Sequence, residues 1–168
     1  MTGDPFAGAG PYIGVAATSQ PDAREAALAE ELGRHLGEAG AIVVCGGGGG
    51  AMAAVCRGAR AAGGLTIGLL PGERREDANP DLSITLPTGL GQGRNLLLVR
   101  ASAAIVAVGG GFGTLSEIAL ALRMGTPVIG LATWALEHRG RRVEAFDQVD
   151  DAAQAAEMAL AAAAGRGG

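Results

Sequence analysis

Residues 103–117 read AAIVAVGGGFGTLSE, an apolar run that leads into a glycine-rich turn and then into a helical pattern. The run Ala103–Val108 is continuously apolar rather than alternating, which is typical of a parallel strand buried on both faces. Gly109–Gly111 follow it directly, and the helical pattern extends to Met124, with Gly125 as its stop signal. A buried strand that turns into a helix through glycines is the βα unit of a parallel α/β sheet.

The rest of the chain repeats this alternation of strands and helices, so we expect a Rossmann-like, doubly wound α/β fold with a mostly parallel sheet and helices on both faces. Residues 1–10 are expected to form a flexible N-terminal tail, and residues 11–164 a single nucleotide- or phosphate-binding domain. The other predicted strands are Tyr12–Ala17, Ile42–Cys45, Leu65–Leu70, Ser83–Leu86, Pro127–Leu131 and Val143–Phe146. The other predicted helices are Pro21–Ala39, 51–62, Arg94–Ser102 and Asp150–Ala163.

Composition and charge exclude several classes of protein. The net charge is −4 and no basic stripe is present, so a nucleic acid is not an expected partner. No apolar stretch is long enough to span a bilayer, and the first residues lack the plan of a signal peptide, so a cytoplasmic location is expected. The 30 glycines follow no Gly-X-Y period, which excludes a collagen-like chain.

The chemistry-bearing side chains are few. All 13 basic residues are arginines, and without lysine the chain has neither a pyridoxal-phosphate Schiff base nor a Walker-A phosphate loop. Cys45 and Cys56 are interpreted as small buried hydrophobic residues, because two cysteines make neither a disulfide framework nor a metal site. Neither histidine has a visible nucleophile partner. Ser-His and Cys-His catalysis are therefore not expected, and no metal is expected either.

The turn after the most apolar strand is typical of a phosphate site. Glycines at 109, 110, 111 and 113 let consecutive backbone N–H groups point into one concavity, and the start of the helix adds a partial positive charge. Thr114 can add a hydroxyl donor. The alternative is that these glycines only permit a tight strand-to-helix turn.

Glu117 and Arg94 each allow two interpretations. Thr114 and Glu117 have the spacing of a capping box, which would give both side chains a purely structural role. Glu117 would also lie beside a bound phosphate, where a carboxylate can stabilise a developing cation or orient water. Arg94, in GQGRN, begins the preceding helix and can contact phosphate or carboxylate, or it is a solvated surface charge.

A second glycine run, Gly46–Gly50 followed by Ala51-Met52, repeats the design after the second strand. Its candidate ligand-binding residues are Gly47, Gly48 and Met52, which would hold a ribose or a base, or only allow the ligand to approach. In the loop Thr18–Pro21, an N-cap with proline in the first helical turn is the favoured interpretation, over a contact between Ser19 and the ligand.

The ordered set GGGGGAM, GRNLLLV and GGGFGTLSE resembles the LOG-like proteins, over roughly Tyr12 to Leu131. The resemblance implies a phosphoribohydrolase that cleaves a nucleoside 5′-monophosphate, such as a cytokinin ribotide, to free base and ribose 5-phosphate. It also implies a homodimer. By position, the glycines 110, 111 and 113 with Thr114 would bind phosphate, Glu117 would be the catalytic carboxylate, and Arg94 its partner.

Three departures from the family pattern point to another branch of it. Gly109 replaces a proline, Asn95 replaces a lysine, and Ser116 stands where many active members have a second glutamate. These features look more like the molybdenum-cofactor carriers, which hold a phosphorylated pterin without cleaving it. Both hypotheses need a small phosphorylated ligand, a nucleotide or a pterin, and neither requires a further cofactor. Gly109 and Asn95 are included among the candidate ligand-binding residues.

Overall fold

The computed structural model describes residues 10–165, in which strands alternate with helices along the chain. Five helices are longer than one turn: α1 (Ala23–Glu38), α2 (Ala51–Ala61), α3 (Arg94–Ala101), α4 (Phe112–Met124) and α5 (Ala152–Ala164). The longer strands are β1 (Tyr12–Ala17), β2 (Ile42–Cys45), β3 (Leu65–Leu70), β4 (Ile84–Pro87), β5 (Ala104–Gly109) and β6 (Val128–Thr133). The shorter strands are β7 (Glu137–His138), β8 (Arg141–Arg142) and β9 (Asp147–Val149).

Seven strands form one parallel sheet in the order β4-β3-β2-β1-β5-β6-β9. The first strand and the fifth are therefore neighbours at its centre, with Gly14 opposite Ile105 and Ala16 opposite Ala107. The chain winds outward from this pair in both directions, which defines the topological switch point of a doubly wound fold. The predicted Rossmann-like α/β fold is confirmed.

The core lies on both faces of the sheet. Side chains alternate across β5, so that Val106 faces a cluster shared with α1, α2 and α5, while Ile105 faces a cluster shared with α3 and α4. Every residue of β5 is buried, as expected for a central parallel strand covered by two helical layers.

Two details differ from the sequence predictions. The N-cap of α1 is Asp22, whose side chain and that of Glu25 form a capping box, so the prediction of a cap within Thr18–Pro21 is wrong. The last strand is β9, and the predicted strand Val143–Phe146 is wrong. The ring of Phe146 packs close to Gly130 of β6, and the three residues that follow it pair with that strand.

Within residues 10–165, no helix combines the length and the apolar character that crossing a membrane requires.

Candidate functional site

A cavity of about 510 Å³ lies at the carboxyl ends of the central strands. Its walls come from the loops after β1, β2 and β5 and from the start of α3, which is where ligands bind in open parallel sheets. The residues that line it are Val15, Ala17, Thr18, Ser19, Gly46, Met52, Gln92, Arg94, Gly111, Phe112, Gly113, Thr114, Ser116 and Glu117.

The amino terminus of α4 forms one wall of the cavity. Gly111 is its N-cap and makes no side-chain cap bond, and the first backbone N–H groups of a helix have no partner within the helix. A Cβ atom at Gly113 would meet no protein atom within 4 Å, so protein packing does not require a glycine here. The missing side chain leaves room for a ligand to approach the backbone.

Thr114 supplies a further donor at this helix terminus. Its side chain is 2% exposed, it lines the cavity, and its Oγ1 atom has no hydrogen-bond partner in the protein. The predicted capping box of Thr114 and Glu117 is wrong, because α4 begins at Phe112 and Thr114 already lies inside the first turn. A buried hydroxyl without a protein partner is costly, which favours a polar ligand atom beside it.

Glu117 forms a buried ion pair with Arg94, with 3.2 Å between Oε1 and Nη1. The two residues are 5% and 9% exposed, so the surface-charge interpretation of Arg94 is wrong. Burial raises the pKa of Glu117 to about 7, although the positive charge of Arg94 acts in the opposite direction. The carboxyl group can therefore take up or release a proton near neutral pH.

Gly46 lets the Arg94 guanidinium lie against the backbone of the second glycine-rich loop. A Cβ atom there would lie 2.6 Å from both Nη1 and Nη2 of Arg94. Gly46 also lines the cavity, yet nothing in the sequence separates it from its four glycine neighbours. Only the long-range approach of Arg94 distinguishes it.

Asn95 stands behind the cavity wall and supports it. Its Nδ2 atom donates to Ser116 Oγ at 2.7 Å, and Ser116 Oγ donates to the Gly113 carbonyl at 3.0 Å. Asn95 is 2% exposed, and its Oδ1 atom has no protein partner. The residue therefore fixes the first turn of α4, where it is adjacent to the cavity rather than lining it.

The remaining predicted residues divide between the cavity and its supports. Met52 lines the cavity, whereas Gly47 and Gly48 accept hydrogen bonds from Asn79 Nδ2 through their carbonyls, at 3.3 and 3.0 Å, and are not among its lining residues. Gly109 has a φ of +78°, which favours glycine, and its carbonyl accepts from Thr133 Oγ1. Neither Gly109 nor Gly110 lines the cavity.

Sequence reasoning missed an aromatic pair at the cavity. The rings of Phe112 and Trp134 stack with centroids 5.9 Å apart and an interplanar angle of 30°. Trp134 Nε1 also donates to the Gly111 carbonyl at 3.2 Å, which ties the loop before β7 to the start of α4. Phe112 is the one aromatic residue in the glycine-rich motif, and this was the available signal.

Among residues 10–165, no three His, Cys, Asp or Glu side chains come together as a metal site would require. Cys45 and Cys56 are both buried and unbridged, with 3.5 Å between their sulfur atoms.

Comparisons with known proteins identify one family. Residues 11–163 match the SLOG cluster4 family. A curated relative from Archaeoglobus fulgidus, described as an uncharacterised protein, is 38% identical over 119 residues, which are 71% of this chain and 78% of the relative.

Two similar solved structures carry functional descriptions. The molybdenum cofactor binding protein of Rippkaea orientalis is 38% identical, with a TM-score of 0.72, over 74% of this chain and 77% of that one. The Moco (molybdenum cofactor) carrier protein of Chlamydomonas reinhardtii is 32% identical, with a TM-score of 0.80, over 93% of this chain and 99% of that one.

Proposed function

The chain belongs to the SLOG cluster4 family, a LOG-like family, and we propose that it is a carrier that binds a phosphorylated pterin such as the molybdenum cofactor without cleaving it. The ligand's phosphate would lie at the amino terminus of α4, and the rest of the ligand would extend toward Arg94 and the second glycine-rich loop. This ligand class is the one named for the carrier and binding proteins to which the chain is similar.

One observation carries the phosphate position. Thr114 Oγ1 is buried, unpartnered and part of the cavity wall, next to the free N–H groups of the first turn of α4. A phosphate oxygen would satisfy this hydroxyl and the helix terminus together. No lysine is needed, because backbone donors and the helix dipole supply the positive potential.

The cavity also fits a ligand larger than phosphate. Its volume of about 510 Å³ lies within the usual range for small-molecule sites. The Nε atom of Arg94 is buried without a protein partner. The guanidinium therefore still has an unpaired N–H donor after its hydrogen bond to Glu117. A ligand oxygen within reach of that donor would satisfy it.

Purification under anaerobic conditions, with mass spectrometry of the retained ligand, tests this function. We expect an intact phosphorylated pterin to co-purify and to be unaltered after long incubation. The Thr114→Val variant should bind it about tenfold more weakly, since one hydrogen bond to a charged group is lost. Thr85→Val, made on the outer strand β4, is the matched control and should bind normally. A wild-type protein that retains and binds no phosphorylated pterin would refute the carrier function.

A second candidate function is hydrolysis of an N-glycosidic bond, and the Glu117–Arg94 pair favours it. Glu117 is a buried carboxyl group with a pKa of about 7, it lines the cavity, and its partner Arg94 lies against Gly46 of the second glycine-rich loop. If a ribose 5-phosphate unit were bound with its phosphate at α4, this carboxylate could stabilise the ribosyl cation and guide water to it.

Incubation with AMP and with cytokinin ribotides separates the two functions. A hydrolase would release free base and ribose 5-phosphate, and Glu117→Gln would abolish the release. A carrier would return every nucleotide unchanged. Release that persists in Glu117→Gln would exclude the carboxylate as the catalyst.

A further inference from the structure

We propose that Phe112 is the stacking platform for the planar ring of the ligand and sets the preference for ring-bearing phosphates over simple ones. This inference rests on the proposed phosphate site at α4. Phe112 would be a specificity-determining residue that does not touch the phosphate, and it is distinct from the Glu117–Arg94 pair.

Phe112 is held in place from one side only. Its ring stacks on Trp134, and Trp134 is in turn fixed by its hydrogen bond to the Gly111 carbonyl. Trp134 is itself half-buried, so the pair is anchored to the body of the protein. The ring of Phe112 therefore has a defined position without being part of the core.

Most of the Phe112 side chain, apart from its contact with Trp134, is open to solvent. The residue is 82% exposed, the highest value among the exposed large apolar residues within residues 10–165. It also lines the cavity, directly beside Gly113 and Thr114. An aromatic ring that is anchored on one side and open on the other, at the edge of a binding cavity, is suited to stack with a second ring.

The short separation between Phe112 and Thr114 along the chain determines which ligands can contact both residues. Phe112 is the first residue of α4, while Thr114 is two residues further, so ring and phosphate contacts come from the same helical turn. A pterin or a base joined to a phosphate by a short linker can use both contacts. Ribose 5-phosphate and inorganic phosphate can use only the second.

Titration calorimetry with three probes tests the platform: AMP, neopterin phosphate and ribose 5-phosphate. We expect the wild-type protein to bind at least one of the two ring-bearing probes about tenfold more tightly than ribose 5-phosphate, in line with typical ring stacking. Phe112→Ala should remove this advantage and leave ribose 5-phosphate binding within about twofold. Phe112→Tyr keeps a ring and should restore the advantage.

Leu65→Ala is the matched control, because Leu65 is an exposed apolar residue at the opposite end of the sheet. It should leave binding of all three probes unchanged. Trp134 is the only tryptophan in the chain, so its fluorescence provides a second readout. Ring-bearing probes should change this fluorescence in the wild-type protein more than ribose 5-phosphate does.

The outcomes that overturn the proposal are distinct. Equal affinity for ring-bearing and ring-free probes would refute the platform and leave the phosphate site intact. An equal loss of all probes in Phe112→Ala, or a changed oligomeric state in that variant, would show that Phe112 is structural. Binding of none of the three probes by the wild-type protein would refute the phosphate site and the platform together.

Discussion

Glu117 has a charged partner and is almost completely shielded from solvent. This burial shifts the pH at which the carboxyl group titrates. Its side chain is 6% exposed and that of Arg94 is 11% exposed. Because burial raises the pKa of Glu117 from its ordinary value of 4.5 to about 7, the folded protein binds a proton there more tightly than the unfolded chain does.

Glu117 makes the stability of the protein depend on pH. Between pH 4.5 and about 7 the folded state holds the Glu117 proton and the unfolded state has released it, so this residue's contribution to stability falls as the pH rises. We expect the wild-type free energy of unfolding to lose roughly 3 kcal/mol over this interval from this group. Glu117→Gln should lack that component, which denaturant titrations of both proteins at several pH values would measure. Parallel pH profiles would contradict the assignment.

Gly46 provides a test of the Arg94 position that does not change either charge. A methyl group at residue 46 would displace the guanidinium from its place against the loop, since the obstructing atoms are the movable end of a side chain. Gly46→Ala should therefore fold, lose about 1–3 kcal/mol of stability as the buried ion pair is disturbed, and bind phosphorylated ligands more weakly.

Gly49→Ala is the matched control in the same loop, because a Cβ atom there would meet nothing within 4 Å. Chemical denaturation and calorimetry on both variants would separate the effects. Equal losses in the two variants would mean that the loop tolerates no side chains at all, and that Arg94 is not the reason.

Single residues also show where prediction from sequence stops. The motifs predicted Thr114, Glu117 and Arg94 as site residues, and the structure brings all three to one cavity. The capping box failed because α4 begins earlier than Thr114, so local spacing alone misassigned the partner of Glu117. Its actual partner lies 23 residues away along the chain, and only the tertiary fold brings the two together.

At the scale of elements, α1 and α2 pack against each other through glycines. Cβ atoms at Gly33 and Gly58 would overlap backbone carbonyl oxygens of the facing helix, those of Val55 and Glu30. The two helices therefore approach until backbone meets backbone, and both glycines are buried. Small residues are required here by the closeness of the helices rather than by their own backbone angles.

This packing reverses the usual effect of alanine in a helix. At an exposed position, Gly→Ala stabilises a helix by about 1 kcal/mol. We expect Gly58→Ala to destabilise the protein instead, by about 1–3 kcal/mol, because the facing backbone cannot move aside as a side chain would. Thermal or chemical unfolding would measure the change.

Arg60→Ala, at an exposed position of the same helix, is the control and should change stability little. A stabilised Gly58→Ala protein would show that the two helices are free to separate.

Elements with a strong local signal were predicted well. The bounds of β2 and β3 agree with the sequence prediction, and Gly125 ends α4 with a φ of +68°. The last strand was missed because residues 143–146 are more apolar than residues 147–149, although only the latter pair with β6. A short edge strand is defined by its partner more than by its own composition.

At the scale of the whole molecule, the resemblance to LOG-like proteins implies a homodimer, and we expect one in solution. Leu96 and Leu97 of α3 are 43% and 41% exposed, whereas Leu98 and Val99 of the same helix are buried in the core. One face of α3 therefore packs into the core, while another face leaves two leucines exposed. Exposed apolar groups of this kind commonly mark contacts between proteins.

Sedimentation of Leu97→Glu tests this expectation. A charge placed in an apolar contact should shift the protein toward monomer, because the carboxylate would lose its water on association. Leu65→Glu, which changes a still more exposed leucine at the start of β3, should leave the sedimentation unchanged. A monomeric wild-type protein would contradict the dimer.

Because β1 pairs with β5, the ligand-binding cavity can form only late in the synthesis of the chain. The wall that carries Thr18 is synthesised almost a hundred residues before the wall that carries Thr114, and the strands between them belong to only one half of the sheet. A nascent chain therefore has no cavity until β5 has left the ribosome and inserted beside β1. Since such long-range pairing is slow, a ligand that binds only the finished sheet would act late, capturing molecules that have completed folding and lowering the rate at which they reopen.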